Sequence, residues 1–403
     1  MNFMAKYIFK YILVIVLTGM WISCDVKKSD IDPSEEYSRI YDHPDMNMAF
    51  YPVDFEQTPD GGFLILAVYT DTALSTFPLI YLLKTGRAGE KIWETWVDRA
   101  YSSAVPSLIP SGSNYFFVCM DAVNQETRIL QVNTTSGEVS EFNAVDLQYP
   151  LFSIKDTRGD ILVLNFDRER RISILSQYSE AFVEKWSLEF GIIDDVRYQI
   201  ENHLAKTGKQ FPFFIGEVGT TDISHYFVNC FYNYTMTLLF ADATEGNHTG
   251  TLYTYQDDAA ISSTVSIDGD RFALSRYYLG DNYVNPSVML DPGSIQSVTD
   301  FTDFSLPELA PDAQVRCLHA TLNDKDVVVY ASQTRTNQLA LYFYSAADST
   351  LQSVKFYNEK YPVSLAAFDL TREGGLAMLV QTYVIGRFPR INLVKLSPED
   401  LEY

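Results

Sequence analysis

The chain alternates between tight polar turns and short runs of branched and aromatic residues. Pro59-Asp60-Gly61-Gly62 opens Phe63-Leu64-Ile65-Leu66-Ala67, and Ser111-Gly112-Ser113-Asn114 opens Tyr115-Phe116-Phe117-Val118-Cys119. The unit returns at Arg158-Gly159-Asp160, Thr220-Thr221-Asp222, Asp268-Gly269-Asp270, Asn323-Asp324-Lys325-Asp326 and Glu373-Gly374-Gly375, seven copies spaced about 50 residues apart. Gly and Asx at these turns supply the positive φ that tight hairpins need. A second strand-like run follows each loop, such as Leu79-Ile80-Tyr81-Leu82-Leu83 or Leu339-Ala340-Leu341-Tyr342-Phe343. A more polar closing segment then completes the copy, as in Lys91-Ile92-Trp93-Glu94-Thr95-Trp96. Each copy therefore predicts four strands, and no helical crossover separates them.

Four strands per repeat with even spacing is the pattern of an all-β, seven-bladed β-propeller of four-stranded antiparallel blades. The chain resembles the secreted bacterial seven-bladed propellers over nearly its whole length, without the sequence marks of the WD40 or kelch families. Two packed β-sandwich domains are the alternative. The last copy stops after its third strand, and residues 36–41 look like the missing closing segment. They are expected to pair beside residues 391–397, closing the ring and removing a bare sheet edge. An excess of residues near 192–210 carries Val196, Ile200 and Leu204 at the spacing of one helix face, which predicts a short helical insertion. Insertions in repeat proteins collect on one face, often the binding face.

The first residues follow a different rule. Lys6 and Lys10 precede an apolar run over 11–17 that continues through 18–22, roughly a dozen residues and shorter than the ~20 a membrane span requires. It ends at Ser23-Cys24, and the polar stretch Asp25-Val26-Lys27-Lys28-Ser29-Asp30 follows. A small residue before a Cys at this junction resembles the lipobox of bacterial lipoproteins, with Trp21 where that family usually has Leu. The resemblance implies a signal peptide over 1–23, lipid attachment at Cys24, a flexible tether over 24–35 and a single domain over 36–403. It also implies an envelope location, on the outer membrane or facing the periplasm, with the membrane reached through the N-terminal lipid.

Composition narrows the partners. The 403 residues carry 52 Asp+Glu against 30 Lys+Arg, a net charge of −22 that repels phosphate backbones and argues against nucleic acid. Besides Cys24 there are Cys119, Cys230 and Cys317, too few for a disulfide framework. All three sit in apolar runs and read as buried thiols, with a Cys119 to Cys230 bridge as the alternative. The five histidines, His43, His203, His225, His248 and His319, show no metal-ligand spacing. Asp268-Gly269-Asp270, Asn323-Asp324-Lys325-Asp326 and Asp300-Phe301-Thr302-Asp303 are rich in carboxylates but lack a calcium-loop pattern. Nucleophile-elbow, P-loop and dinucleotide motifs are missing, so no catalytic residue, cofactor or metal is expected. The sequence thus reads as a non-catalytic, monomeric, lipid-anchored propeller that binds an envelope protein or a glycan. The alternative is a carbohydrate-active enzyme or glycan-binding protein with carboxylates and aromatics at the channel mouth. Aromatic clusters at Tyr226-Phe227, 231–234, 253–255 and 276–278 are the candidate sugar contacts.

Overall fold

The computed structural model describes residues 36–401 except 44–47, 71–75, 220–221, 255–258, 312, 358–360, 385 and 387. Cys24, the leader and the tether lie outside the described residues. Residues 34–403 form one compact unit, which excludes two separate sandwich domains.

Strand identity follows from burial on two faces. In the second strand of the first copy, Phe63–Thr70, Phe63, Ile65 and Ala67 pack toward the last copy, joining Ala377, Leu379 and Leu393. The alternate residues Leu64, Leu66 and Val68 pack toward the second copy, joining Tyr115, Phe117 and Leu130. A strand buried on both faces must be apolar at every position, which is why these runs are continuous rather than alternating. The outer strands face water on one side and are mixed, as in Glu184–Gly191.

Hydrogen bonding groups the strands into six sheets. Five are separate antiparallel blades of four strands, one of which gains a fifth, parallel strand. The sixth has nine strands, because the short strand Tyr101–Ser102 pairs with both Leu79–Thr85 and Asn114–Asp121. The expected seven separate blades are corrected accordingly: the first two copies run together, since the link after Trp96 is itself extended enough to bridge them. Within that sheet, Ala49–Gln57, Phe63–Thr70, Leu79–Thr85 and Lys91–Trp96 pair in order, and Ile109–Ser111, Asn114–Asp121, Glu126–Asn133 and Val139–Gln148 do the same. From Pro150–Lys155 onward the innermost strand of each blade touches that of the next, Val363–Leu370 returns to touch Ala49–Gln57, and Pro150–Lys155 touches Asn114–Asp121 of the nine-stranded sheet, so the set is closed.

The closing strand is where the truncated last copy requires it. Tyr37–Tyr41 pairs antiparallel with Arg390–Leu396, Tyr37 opposite Lys395 and Tyr41 opposite Ile391. Two polar latches reinforce the seam. Arg390 is fully buried, donates from Nε to Asp42 Oδ1 at 2.9 Å and from Nη1 to the Met48 carbonyl at 2.6 Å, and lies over the Phe50 ring. At the other end of the blade, Gln57 donates to both Glu373 oxygens at 3.1 and 3.0 Å and accepts from the Arg372 amide at 2.6 Å.

The turns that punctuate the sequence have a physical requirement at Gly62. A Cβ there would stand 2.0 Å from the Thr85 carbonyl oxygen. Asp60 caps the same turn, accepting from the Gly62 amide at 3.0 Å while pairing with the buried Lys84 at 2.9 Å. Cys119 and Cys230 are buried free thiols, and Cys317 is a half-buried one. Among the described residues no helix is long and apolar enough to cross a membrane.

Candidate functional site

All innermost strands run the same way along the axis, so their starts line one mouth of the central channel. The turns between second and third strands and the links between blades belong to that same end. The inserted helix α1, Arg197–Leu204, sits in one such link. Ile200 and Leu204 anchor it by burial, and Ser103 Oγ donates to the Leu204 carbonyl at 3.2 Å. Beyond it, Lys206 at φ 56° and Gly208 at φ 68° take the left-handed conformation of a turn. The insertion therefore places His203, Lys206, Lys209 and Gln210 at the mouth.

The mouth is a cavity of about 650 Å³ framed by Tyr51, Phe152, Phe211 and Tyr383, with Gln314, Gln333 and Gln381 among its polar walls. A deeper chamber of about 300 Å³ shares Val53, Pro106, Phe152, Phe213, Gln314 and Arg316 with it, so the two form one channel. Lys206 and Arg316 face the same space. Neither has an ion pair among the described residues, and the Arg316 Nε and Gln210 Nε2 groups are buried donors without a hydrogen-bond partner. Burial, then the neighbouring Arg316 charge, brings the Lys206 ammonium down to about 8. Burial also holds Arg316 below the usual guanidinium range, opposed by Asp54. Lys209 lies over the Tyr277 ring at 4.8 Å. His203 accepts from the Phe211 amide through Nδ1 at 3.0 Å and meets Phe213 edge-to-face. Burial, with Lys206 beside it, keeps this imidazole neutral by pushing its pKa well down.

Asp54 lines the deeper chamber together with Arg316, and Glu56 and Asp369 stand near the ends of the two adjacent inner strands Ala49–Gln57 and Val363–Leu370. Asp54 accepts from the Ser107 and Leu108 amides at 3.1 and 2.8 Å, docking the next inner strand onto its own. Burial pushes its pKa up to about 6 against the pull of the Leu108 and Phe55 amides and of Arg316. Glu56 is pushed up to about 8 by burial and by Asp54 and Asp369, with Arg372 opposing. Asp369, on the adjacent inner strand, is partly open to solvent, and burial of its carboxyl still raises its pKa against the Leu370 amide. A carboxyl whose folded pKa lies above its unfolded value contributes stability that is complete below the unfolded pKa and is lost as pH rises through the folded one. For Glu56 that window runs from the ordinary value of 4.5 to about 8. The melting temperature should therefore fall between pH 5 and pH 8 more steeply for the natural chain than for Glu56→Gln, which carries no titrating group there. Parallel profiles from calorimetry would reject this assignment.

Sequence-predicted candidates scatter. Tyr226 is buried between blades, donating to Asp156 Oδ2 at 2.5 Å and accepting from Arg158 at 2.5 Å, and Phe227 is core. Of the aromatic clusters, 276–278 reaches the mouth through Tyr277 under Lys209, and Tyr255 lies outside the described residues. Asp268 pairs with Arg271, Asp303 with Arg276 and Asp326 with His319. The cations at the mouth were not foreseen. Lys206 and Arg316 are far apart in sequence, and only the helical insertion hinted at the face that carries them.

Comparison with known proteins gives a fold and no family. No family model and no curated protein matches the chain. Solved structures do. They include the β-propeller domain of the trilobed protease from Pyrococcus furiosus, at 9% identity and TM-score 0.47, covering 87% of this chain and 95% of that one. The arrangement of four-stranded antiparallel sheets makes the fold a β-propeller. An oligogalacturonate lyase from Vibrio parahaemolyticus matches at 11% identity and TM-score 0.50, covering 89% of this propeller and 96% of that chain. Hydrazine synthase of Kuenenia stuttgartiensis matches at 11% identity and TM-score 0.50, covering 81% and 92%. At such identities the likeness concerns architecture, and propellers serve unrelated chemistries.

Proposed function

We propose that this protein is a lipid-anchored binding propeller of the cell envelope whose channel mouth takes an anionic ligand, with an acidic glycan as the polymer it recognises. We also read the nine-stranded sheet as two blades, which makes the ring seven-bladed. The observation that carries the binding reading is the pair Lys206 and Arg316. Two cations sharing an enclosed space without a carboxylate at ion-pairing distance repel each other and lose hydration, and an arriving anion relieves both costs. That arrangement stands in a chain with 52 acids, so its cations are locally selected rather than a by-product of a basic surface. The aromatic frame and glutamines suit the C–H faces and hydroxyls of sugar rings. Carboxylates at the mouth would be needed for glycosidic acid–base chemistry, and among the described residues Asp54 is occupied with backbone amides.

Isothermal titration with galacturonate oligomers, inorganic phosphate and neutral glucan oligomers tests it. Binding of an anionic probe that weakens with salt is expected; equal binding of neutral and acidic oligomers, or none, rejects the reading, and turnover of the oligomer would assign an enzyme instead. For the anchor, Cys24→Ala should shift the protein from the detergent phase to the aqueous phase on Triton X-114 partition. An unchanged partition would reject lipidation at Cys24.

A further inference from the structure

A second cavity on the same end of the ring lies away from the channel, at the outer part of the first blade. It has a volume of about 550 Å³ and is lined by His43, Met48, Tyr69, Trp96, Asp98 and Arg99. Trp96 closes the outer strand Lys91–Trp96 and meets Tyr69 at 4.6 Å, Tyr81 at 5.0 Å, His43 at 5.1 Å and Phe50 at 5.8 Å, all edge-to-face. Phe50, Tyr69 and Tyr81 are buried, so the indole is held rigidly from behind, while Trp96 and His43 stay half-buried.

Two observations separate this indole from an ordinary packing residue. The neighbouring Trp93 donates its N–H to the Thr134 carbonyl at 3.0 Å. The Trp96 N–H has no hydrogen-bond partner among the described residues. Asp98 and Arg99, both exposed, line a cavity whose other walls are the His43, Tyr69 and Trp96 rings with Met48 and Val97, and Arg99 has no ion pair among the described residues. Arg99 also lines the adjoining depression of about 490 Å³, together with Phe77, Tyr149 and Arg168.

We infer that the Trp96 cleft is a carbohydrate subsite, taking one pyranose ring of a glycan whose next residues run past Arg99. A pyranose presents an apolar C–H face and a ring of hydroxyls. The rigid indole matches the first, and the indole N–H, the Asp98 carboxylate and the Arg99 guanidinium match the second as donor, acceptor and donor. Rigid aromatic platforms bind with little loss of side-chain entropy, which is what a weakly held sugar requires. The cleft shares no lining residue with the channel mouth, so this inference stands or falls apart from the anion site.

The test is saturation-transfer NMR and tryptophan fluorescence on the full-length chain in detergent. The probes are cellotetraose, xylotetraose, mannotetraose and chitotetraose, each at concentrations up to about 10 mM. At least one should show transfer to its ring C–H protons and a fluorescence change. Trp96→Ala should abolish both. Arg99→Ala, an exposed position that leaves the core intact, should weaken binding about tenfold. Lack of binding by all four oligomers overturns the inference, as does binding that survives Arg99→Ala and Trp96→Ala with unchanged affinity.

Discussion

Removing the closing strand should unfold the ring or lower its melting temperature by more than about 10 °C, the largest stability effect expected for any short deletion in this chain. The comparison is between a chain starting at residue 36 and one starting at residue 43. The deletion takes away the ladder between Tyr37–Tyr41 and Arg390–Leu396 and bares the outer edge of the last blade. It also removes Asp42, the carboxylate partner of the fully buried Arg390. Removing one partner of a buried charge costs up to about 3–5 kcal/mol, and a whole domain is stable by only about 5–15 kcal/mol. Calorimetry reads the outcome, and a synthetic peptide of residues 34–43 added in trans should recover part of the loss. Melting temperatures within about 2 °C of each other would show that the seam is held by apolar packing alone.

The second large effect concerns the channel cations and runs in opposite directions for binding and for stability. Lys206→Met and Arg316→Met should each weaken anion binding by about 10- to 100-fold, the worth of one charge-assisted hydrogen bond, and the double variant by more. Without ligand, Lys206→Met should melt higher than the natural chain, because it removes a desolvated charge facing a like charge, whereas Arg316→Met also takes a counter-charge from Asp54 and should gain less. A residue that merely supported the fold would lower the melting temperature, so the two readouts together separate a binding role from a structural one. The pH dependence has a definite sign. A lysine whose folded pKa is depressed to about 8 is charged below that value, so anion affinity should decline as pH rises above it. Lys206→Met should flatten that decline. Its stability term has the reverse shape: the burial penalty is complete below about 8 and relaxes toward the ordinary value of 10.5. Affinity that is constant from pH 7 to pH 10, or unchanged by either substitution, would remove the anion site.

Much of the architecture was legible in the chain because hairpin turns are local. Gly61, Gly159 and Gly374 all take positive φ at the turns where the repeat was recognised. The truncated last copy pointed to residues 36–41 as its missing strand, because a repeat that stops short leaves an edge that some other segment must cover. The joining of the first two copies was not legible. It depends on Tyr101–Ser102 reaching both Leu79 and Met120, a pairing that no periodicity marks. The aromatic clusters misled for a similar reason. Tyr226 and Phe227 look like sugar contacts in sequence, yet the space between blades claims them first.

By itself, the sequence determined the strand content, the repeat and the segment that closes the ring, since each depends on turns and alternation within a few residues or on one copy compared with another. The site belongs to tertiary structure. Lys206 comes from the segment after a helix inserted in one blade link, and Arg316 from the inner strand of a distant blade. Trp96 acquires its open wall only when His43 and Met48 arrive from the link behind the closing strand. Whether a charge is neutralised or an indole is covered depends on which distant segments converge on it, and that convergence exists only once the ring has closed.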